Sequence, residues 1–367
     1  MNEKNDIMET IYNIIMQNNK FSKYDGRGYT SLANLGNTCF LNTCLQLLSF
    51  TYELIELSNT CSIQDQKTEI GISESKLFSE WIELHKLMWN TPENTKTIVS
   101  PNRFVYYVQE LAKIKENNIF TGWNQNDMPE FLLFLIDSFH NSISRGITMK
   151  ISGNPENEKD NMACKCYSMM KSVYSKEYSE IMELFYGISI SHIDSLEGKQ
   201  YATNPEFFFI LDLPISEKPN PTLIDCFNEY SRLEVLEGEN SWLNETTNQK
   251  ESVRKYITFW NFPKILVVSL KRFTQFGRNK RQDLVSFPLE GLDLSQYCEG
   301  YKNKKYIYDI FGVANHFGGN SGGHYTSFVK NSKNEWLNFN DTQVDIIDES
   351  QIITNNAYCL FYRMKHD

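Results

Sequence analysis

No apolar run in this 367-residue chain is long enough to cross a membrane, which sets membrane spanning aside. An export leader is missing as well. Glu3, Asp6 and Glu9 interrupt the first residues, and no apolar stretch follows a basic start. Basic excess is lacking too: 36 Lys and Arg stand against 46 Asp and Glu, a net charge of -10, with no basic stripe. That balance argues against a nucleic-acid partner and favours a basic one. Without an export signal, the 8 cysteines read as reduced thiols of a cytoplasmic or nuclear protein, not as a disulfide framework. A well-placed cysteine is therefore a candidate for chemistry. Aromatics, by contrast, are plentiful at 14% of residues, enough apolar surface to offset chain entropy and exclude disorder. No internal repeat is visible.

The length suits two domains or one large subdivided unit. Residues 1–25 read as a short amphipathic helix, with Ile7, Ile11, Ile14 and Ile15 at helical spacing, and a polar link. From 29 to about 140 the pattern is mainly helical. Segments 40–50 and 131–139 are apolar nearly all round and hence buried, and 76–88 and 104–114 are amphipathic. A polar, loop-like stretch around 153–161 separates this half from the next. Segments 207–213, 256–260, 265–270, 306–313, 324–329 and 358–362 are β-branched and aromatic, and read as strands. Helices first and strands afterwards predict an α+β architecture. The polar segment 236–252 reads as an exposed hairpin or loop.

The stretch Asn34-Leu35-Gly36-Asn37-Thr38-Cys39-Phe40 runs a turn straight into an apolar helix. Thr38 is placed as its N-cap and Cys39 in the first turn, where free backbone N–H groups favour an anion and lower a thiol's pKa. Those groups can also receive an oxyanion, with the Asn34 carboxamide as a second donor. Cys44, inside the same apolar run, reads as core. Near the other end, Gly318-Gly319-Asn320-Ser321-Gly322-Gly323 delivers His324 to the start of a strand. Imidazole can hold a thiol as thiolate and then protonate a leaving amine. His316, which precedes the loop, is the rival base. Downstream, Trp336-Leu337-Asn338-Phe339-Asn340-Asp341 ends in a carboxamide and a carboxylate, either of which could orient the imidazole.

Together these stretches resemble the ubiquitin-specific protease family of cysteine deubiquitinases. Residues 34–42 match its cysteine box, and Gly322-Gly323-His324-Tyr325-Thr326 with 336–341 and Val344 match its histidine box. Gln125-Asn126-Asp127 with Glu130-Phe131-Leu132, Leu184-Phe185 with Gly187, 263–273 and 358–362 resemble further blocks in the same order. The resemblance spans roughly 27–363. It implies a papain-like fold with a helical thumb (about 29–145), a β-rich palm (about 146–183 and 263–363) and β fingers (about 184–262) within one catalytic unit, 26–364. It implies Cys39 as nucleophile, His324 as base and acid, Asn340 as the residue orienting it, and Asn34 at the oxyanion. Asp341 matches an acidic neighbour that contributes in some relatives.

The implied reaction is hydrolysis after the C-terminal glycine of ubiquitin, by a monomer acting on ubiquitin and ubiquitinated proteins without a cofactor. Asp127 and Glu130 would pair with arginines in the substrate's tail, or cap the helix that starts at Phe131. Gly322, Gly323 and Tyr325 would line a narrow channel, with the loop 317–321 closing over the tail. One departure is plain. Many members bind zinc at the fingertips through two Cys-x-x-Cys pairs, but here Ser195 and Gly198 stand at the first position and 240–250 holds no cysteine. Cys164-Lys165-Cys166 has the wrong spacing and no partner pair. No metal is expected, and packing of Phe207, Phe208 and Phe209 would hold the fingers. Two alternatives share the fold: a non-catalytic ubiquitin-binding module, which would usually lose the nucleophile or the histidine, and a protease for another ubiquitin-like modifier.

Overall fold

The computed structural model describes residues 21–245, 247–273, 279–301, 305–319 and 322–365. The amphipathic segment expected around residues 7–15 lies outside them. The chain opens with β1 (Thr30–Leu32), α1 (Cys39–Ser49), α2 (Tyr52–Thr60), α3 (Glu69–Trp89), β2 (Thr97–Val99), α4 (Asn102–Ile114) and α5 (Met128–Ile143). Strands β1 and β2 pair in parallel beside this helical layer. Every residue of α1 is buried, which is what its all-round apolar sequence demands. Next come α6 (Glu158–Glu177), α7 (Glu180–Phe185), β3 (Gly187–Ser195), β4 (Gln200–Phe208), β5 (Ile210–Pro214) and α8 (Leu223–Tyr230). The remaining strands are β6 (Glu234–Leu236), β7 (Trp242–Asn244), β8 (Gln249–Glu251), β9 (Val253–Asn261), β10 (Ile265–Lys271), β11 (Leu292–Asp293), β12 (Ile307–Gly319), β13 (Gly322–Lys330), β14 (Trp336–Asn340), β15 (Gln343–Ile347) and β16 (Ala357–Met364).

A central sheet runs β15-β14-β13-β12-β16-β10-β5, with β11 against β12. It is covered on both faces, so its inner strands are apolar throughout. In β16, Cys359 and Phe361 join the core under the helices, while Leu360, Tyr362 and Met364 face a second core with α8. Strand β10 alternates likewise, Ile265 and Val267 against Leu266, Val268 and Leu270. Each such side chain contributes roughly 1.5–3 kcal/mol by leaving water. Helix α1 lies between α5 and strands β12 and β13. Gly312 allows the close approach, since a methyl group there would sit 2.5 Å from Leu47 Cδ2.

A smaller antiparallel sheet runs β4-β3-β9-β6, and β7 and β8 form a separate hairpin. Helix α6 packs on this smaller sheet, where Ala163 and Cys166 meet Ile188, Ile190 and Trp260. The ranges expected for palm and fingers are corrected in two places. Helix α6, read within the palm, lies on the small sheet. Strand β5, read within the fingers, pairs in parallel with β10 in the central sheet. The segment 236–252 does form a hairpin, with Trp242 stacked on Tyr201 at 6.0 Å. Among the described residues no helix is long and apolar enough to cross a membrane, and all 8 cysteines are unpaired thiols.

Candidate active site

Cys39 opens α1 and is only 2% exposed, on the wall of an open cleft of about 810 Å³. Thr38 takes the N-cap position, but its side chain does not cap the helix. Its hydroxyl accepts from Leu35 N (2.9 Å) and sits 3.3 Å from Asn34 Oδ1. The turn is wound around Asn34 instead, whose Oδ1 also accepts from Gly36 N (3.0 Å) and Thr38 N (3.1 Å). That commits the carboxamide's orientation and leaves its NH2 group to face Asp341 Oδ2 at 3.0 Å. Among the described residues one N–H of Asn34 remains uncommitted, as an oxyanion donor requires.

The helix start does not lower the Cys39 thiol below its ordinary value. Burial pushes it up and the Asp341 carboxylate adds to the rise. The N–H groups of Tyr325, Phe40 and Cys39 itself pull it down without winning. Desolvation here outweighs the favourable field of the helix terminus. A resting thiol therefore needs a base.

His324 is the third residue of β13, half-buried, with Nε2 2.7 Å from Asn340 Oδ1 at the end of β14. The Asn340 oxygen can only accept, so Nε2 carries the proton and Nδ1 of the neutral ring is free to take one. The adjoining Tyr325 places its backbone N–H on Cys39 Sγ, so the histidine's own strand abuts the nucleophile. His316 pairs with Tyr325 across the β12–β13 register, 4% exposed, its ring 4.6 Å from the Tyr325 ring. Burial pushes His316 down to about 4, with the Lys280 charge adding to the fall, and among the described residues no carboxylate acts on it. It lines the cleft beside Tyr325.

Asp341 follows Asn340 in a left-handed conformation, φ 49°. Its Oδ1 accepts from Asn42 Nδ2 on α1 at 3.0 Å. Asn340 and Asp341 thus do different things: the first holds the histidine, the second holds two asparagines beside the nucleophile.

Asp127 is the N-cap of α5. Its Oδ1 accepts from Glu130 N at 3.1 Å and its Oδ2 from Tyr358 OH at 2.7 Å. Burial raises its pKa, as it does for the exposed Glu130. Both carboxylates line the cleft, and among the described residues neither is paired with a cation. Tyr325 lines the cleft as well. Its side chain is largely buried, and its hydroxyl lies 3.4 Å from both Met128 N and Asp127 Oδ2. It reaches the nucleophile through its backbone. Gly322 and Gly323 line the cleft, and Gly323 N donates to Gln125 Oε1 at 2.7 Å from the opposite wall. The glycine loop is narrower than its sequence suggests, because pairing continues to Gly319 opposite Gly322. Residues 320–321 lie outside those described.

A family profile described as ubiquitin carboxyl-terminal hydrolase matches residues 30–362. The chain belongs to the ubiquitin carboxyl-terminal hydrolase family. It is 34% identical over 346 residues to ubiquitin carboxyl-terminal hydrolase 2 of Homo sapiens, covering 92% of this chain and 55% of that one. To ubiquitin carboxyl-terminal hydrolase 2 of Gallus gallus it is 32% identical over 350 residues, covering 92% of this chain and 94% of the relative. The chain thus spans about half the length of several curated relatives it matches. In fold it is similar to a chain of the SAGA Ubp8/Sgf11/Sus1/Sgf73 DUB module bound to ubiquitin aldehyde. The TM-score is 0.67 at 24% identity, over 94% of this chain and 70% of that one. The module bound to monoubiquitin gives a TM-score of 0.68 at 23% identity, over 94% and 71%. The α+β architecture expected from the sequence is the fold of this family.

Proposed function

We propose that this member of the family is a thiol isopeptidase that hydrolyses the bond after the C-terminal glycine of ubiquitin. The observation that carries the reading is one cleft holding the Cys39 thiol, with an Asn340-held His324 on the adjoining strand. His324 Nδ1 takes the Cys39 proton, and the sulfur attacks the glycine carbonyl. The negative oxygen formed is received by the Cys39 backbone N–H and the uncommitted N–H of Asn34. The imidazolium returns its proton to the leaving lysine amine, and a water deprotonated by the same ring releases the acyl group. Asp127 and Glu130 supply unneutralised charge for arginines of the tail. Relatives that carry the activity in their names support this substrate.

In this reading residues 26–364 act as one catalytic unit of thumb, palm and fingers, without cofactor or metal. The unit is a monomer of the cytoplasm or nucleus. The unpaired cysteines support that placement. The test is incubation with ubiquitin bearing a C-terminal electrophile, with mass mapping of the adduct. Labelling of Cys39, and not of Cys44 or Cys164, supports the reading. Faster labelling by the probe of another ubiquitin-like modifier would move the substrate, and no labelling by any probe would leave a binding module.

A further inference from the structure

We propose that Asn42, one helical turn beyond the nucleophile, is a positioning residue that sets the oxyanion donor by holding Asp341. Its carboxamide is 4% exposed, and the NH2 group reaches Asp341 Oδ1 at 3.0 Å, Ala33 O at 3.3 Å and Leu32 O at 3.4 Å. Its Oδ1, by contrast, is buried with no hydrogen-bond partner among the described residues. An orphaned buried carbonyl is unfavourable, and an apolar side chain of the same shape would avoid it. The arrangement makes sense if the NH2 group is what the position requires.

Asp341 distributes that requirement. One carboxylate oxygen takes Asn42 and the other takes Asn34 at 3.0 Å, in a left-handed backbone conformation that non-glycine residues seldom adopt. Held by Asn42 alone, the carboxylate would still be fixed to α1. Released by Asn42, it is free to turn, and Asn34 loses the anchor that aims its remaining N–H. Because Asp341 directly follows Asn340, the same clamp ties the strand end that holds His324 to the helix that carries Cys39. Asn42 therefore acts through Asp341 and Asn34 on the reaction proposed above, on which this inference rests, and touches no substrate.

The test uses the full chain, a ubiquitin C-terminal fluorogenic amide for turnover, and ubiquitin aldehyde, whose adduct with a thiol imitates the tetrahedral intermediate. Asn42→Leu keeps volume and removes the orphan oxygen. It should leave the melting temperature near wild type while kcat falls about tenfold to a hundredfold with KM little changed. Aldehyde affinity should fall by the same factor as kcat. Asp341→Asn, at a half-buried position that tolerates the left-handed conformation, should produce a loss of similar size. The two changes combined should be no worse than the more damaging one. Multiplying losses, an unchanged kcat in folded Asn42→Leu, or activity that merely follows the folded fraction would each overturn the proposal. If Asn42→Leu does not fold, unaltered aldehyde affinity in Asp341→Asn overturns it by itself. Failure of the wild-type chain to bind the aldehyde would instead count against the function.

Discussion

Gly323 and His316 stand so close that a methyl group on the glycine would strike the histidine's Nε2, and would lie 2.5 Å from the Phe317 carbonyl oxygen. Backbone and a buried ring cannot step aside. Gly323→Ala should therefore cost about 1–3 kcal/mol of stability and displace the strand carrying His324. At Gly322 the same addition meets only Gln125 Oε1, at 3.1 Å, the end of a side chain. Gly322 has φ 158°, which L side chains rarely adopt, so Gly322→Ala is strained as well, but with no backbone clash its loss in thermal melting should be the smaller of the two. Equal melting temperatures would mean that β12 and β13 yield more readily than their packing implies.

The elevated thiol pKa makes an unusual demand on the base. Alkylation of the resting enzyme by iodoacetamide should rise through a midpoint above the ordinary thiol value, since burial and Asp341 both oppose the thiolate. Turnover near neutrality must then come from His324, so His324→Ala should lower kcat by about a thousandfold or more. His316→Gln should cost far less. Cys39→Ala should abolish hydrolysis and retain substrate binding. A resting midpoint below the ordinary thiol value would show the helix start prevailing after all.

The acidic pair on the cleft should divide under salt. Glu130→Gln removes an exposed charge with no fold role, so KM for a ubiquitin substrate should rise, and the rise should shrink as ionic strength increases. Asp127→Asn can keep the helix cap, but its NH2 group cannot accept from Tyr358 OH, and the lost bond should also cost about 1 kcal/mol of stability. A KM for Glu130→Gln equal to wild type at low salt would remove it from the substrate's path.

Acid should destabilise the fold through its buried histidines. His316 is held down to about 4 and His85 to about 3 by burial, so both stay neutral in the fold while the unfolded chain protonates near 6.5. The unfolded state binds more protons in that interval. The stability that neutral His316 contributes is complete above about 6.5 and is lost as pH falls through about 4. Denaturant titrations should show a loss on the order of 2–3 kcal/mol from this ring over that window. His316→Phe should flatten the slope there, and an unchanged slope would assign it to other groups.

The sequence was most legible where one residue's neighbours decide its state. Apolar strands such as 265–270 and 358–362 could be read directly, because both faces of the central sheet are covered. Helix α6 escaped because its polar start at 158–161 reads as loop and only Ala163 and Cys166 of its 20 residues are fully buried, while Met162, Tyr167, Met169 and Met170 are covered in part. Strands β1 and β2, three residues each, are too short to alternate visibly. At the site, Cys39, His324 and the pair Asn340 and Asp341 could be named as candidates by type and order, but not that it is Asn340 whose oxygen faces the imidazole. What Asp341 does could not, because Asn42 lies 299 residues away from it. Nor could the thiol's rise, which depends on burial that only the assembled cleft produces.

Strand β16 is the last strand among the described residues, yet it lies inside the sheet, between β12 and β10. A growing chain that has emerged only as far as β15 already contains the thiol, the histidine and the asparagine. It still lacks the strand that joins the histidine's half of the sheet to β10 and β5. If the proposed reading holds, hydrolysis would have to wait until this strand threads into place. A chain cut before Ala357 carries every one of these side chains and an unfinished scaffold.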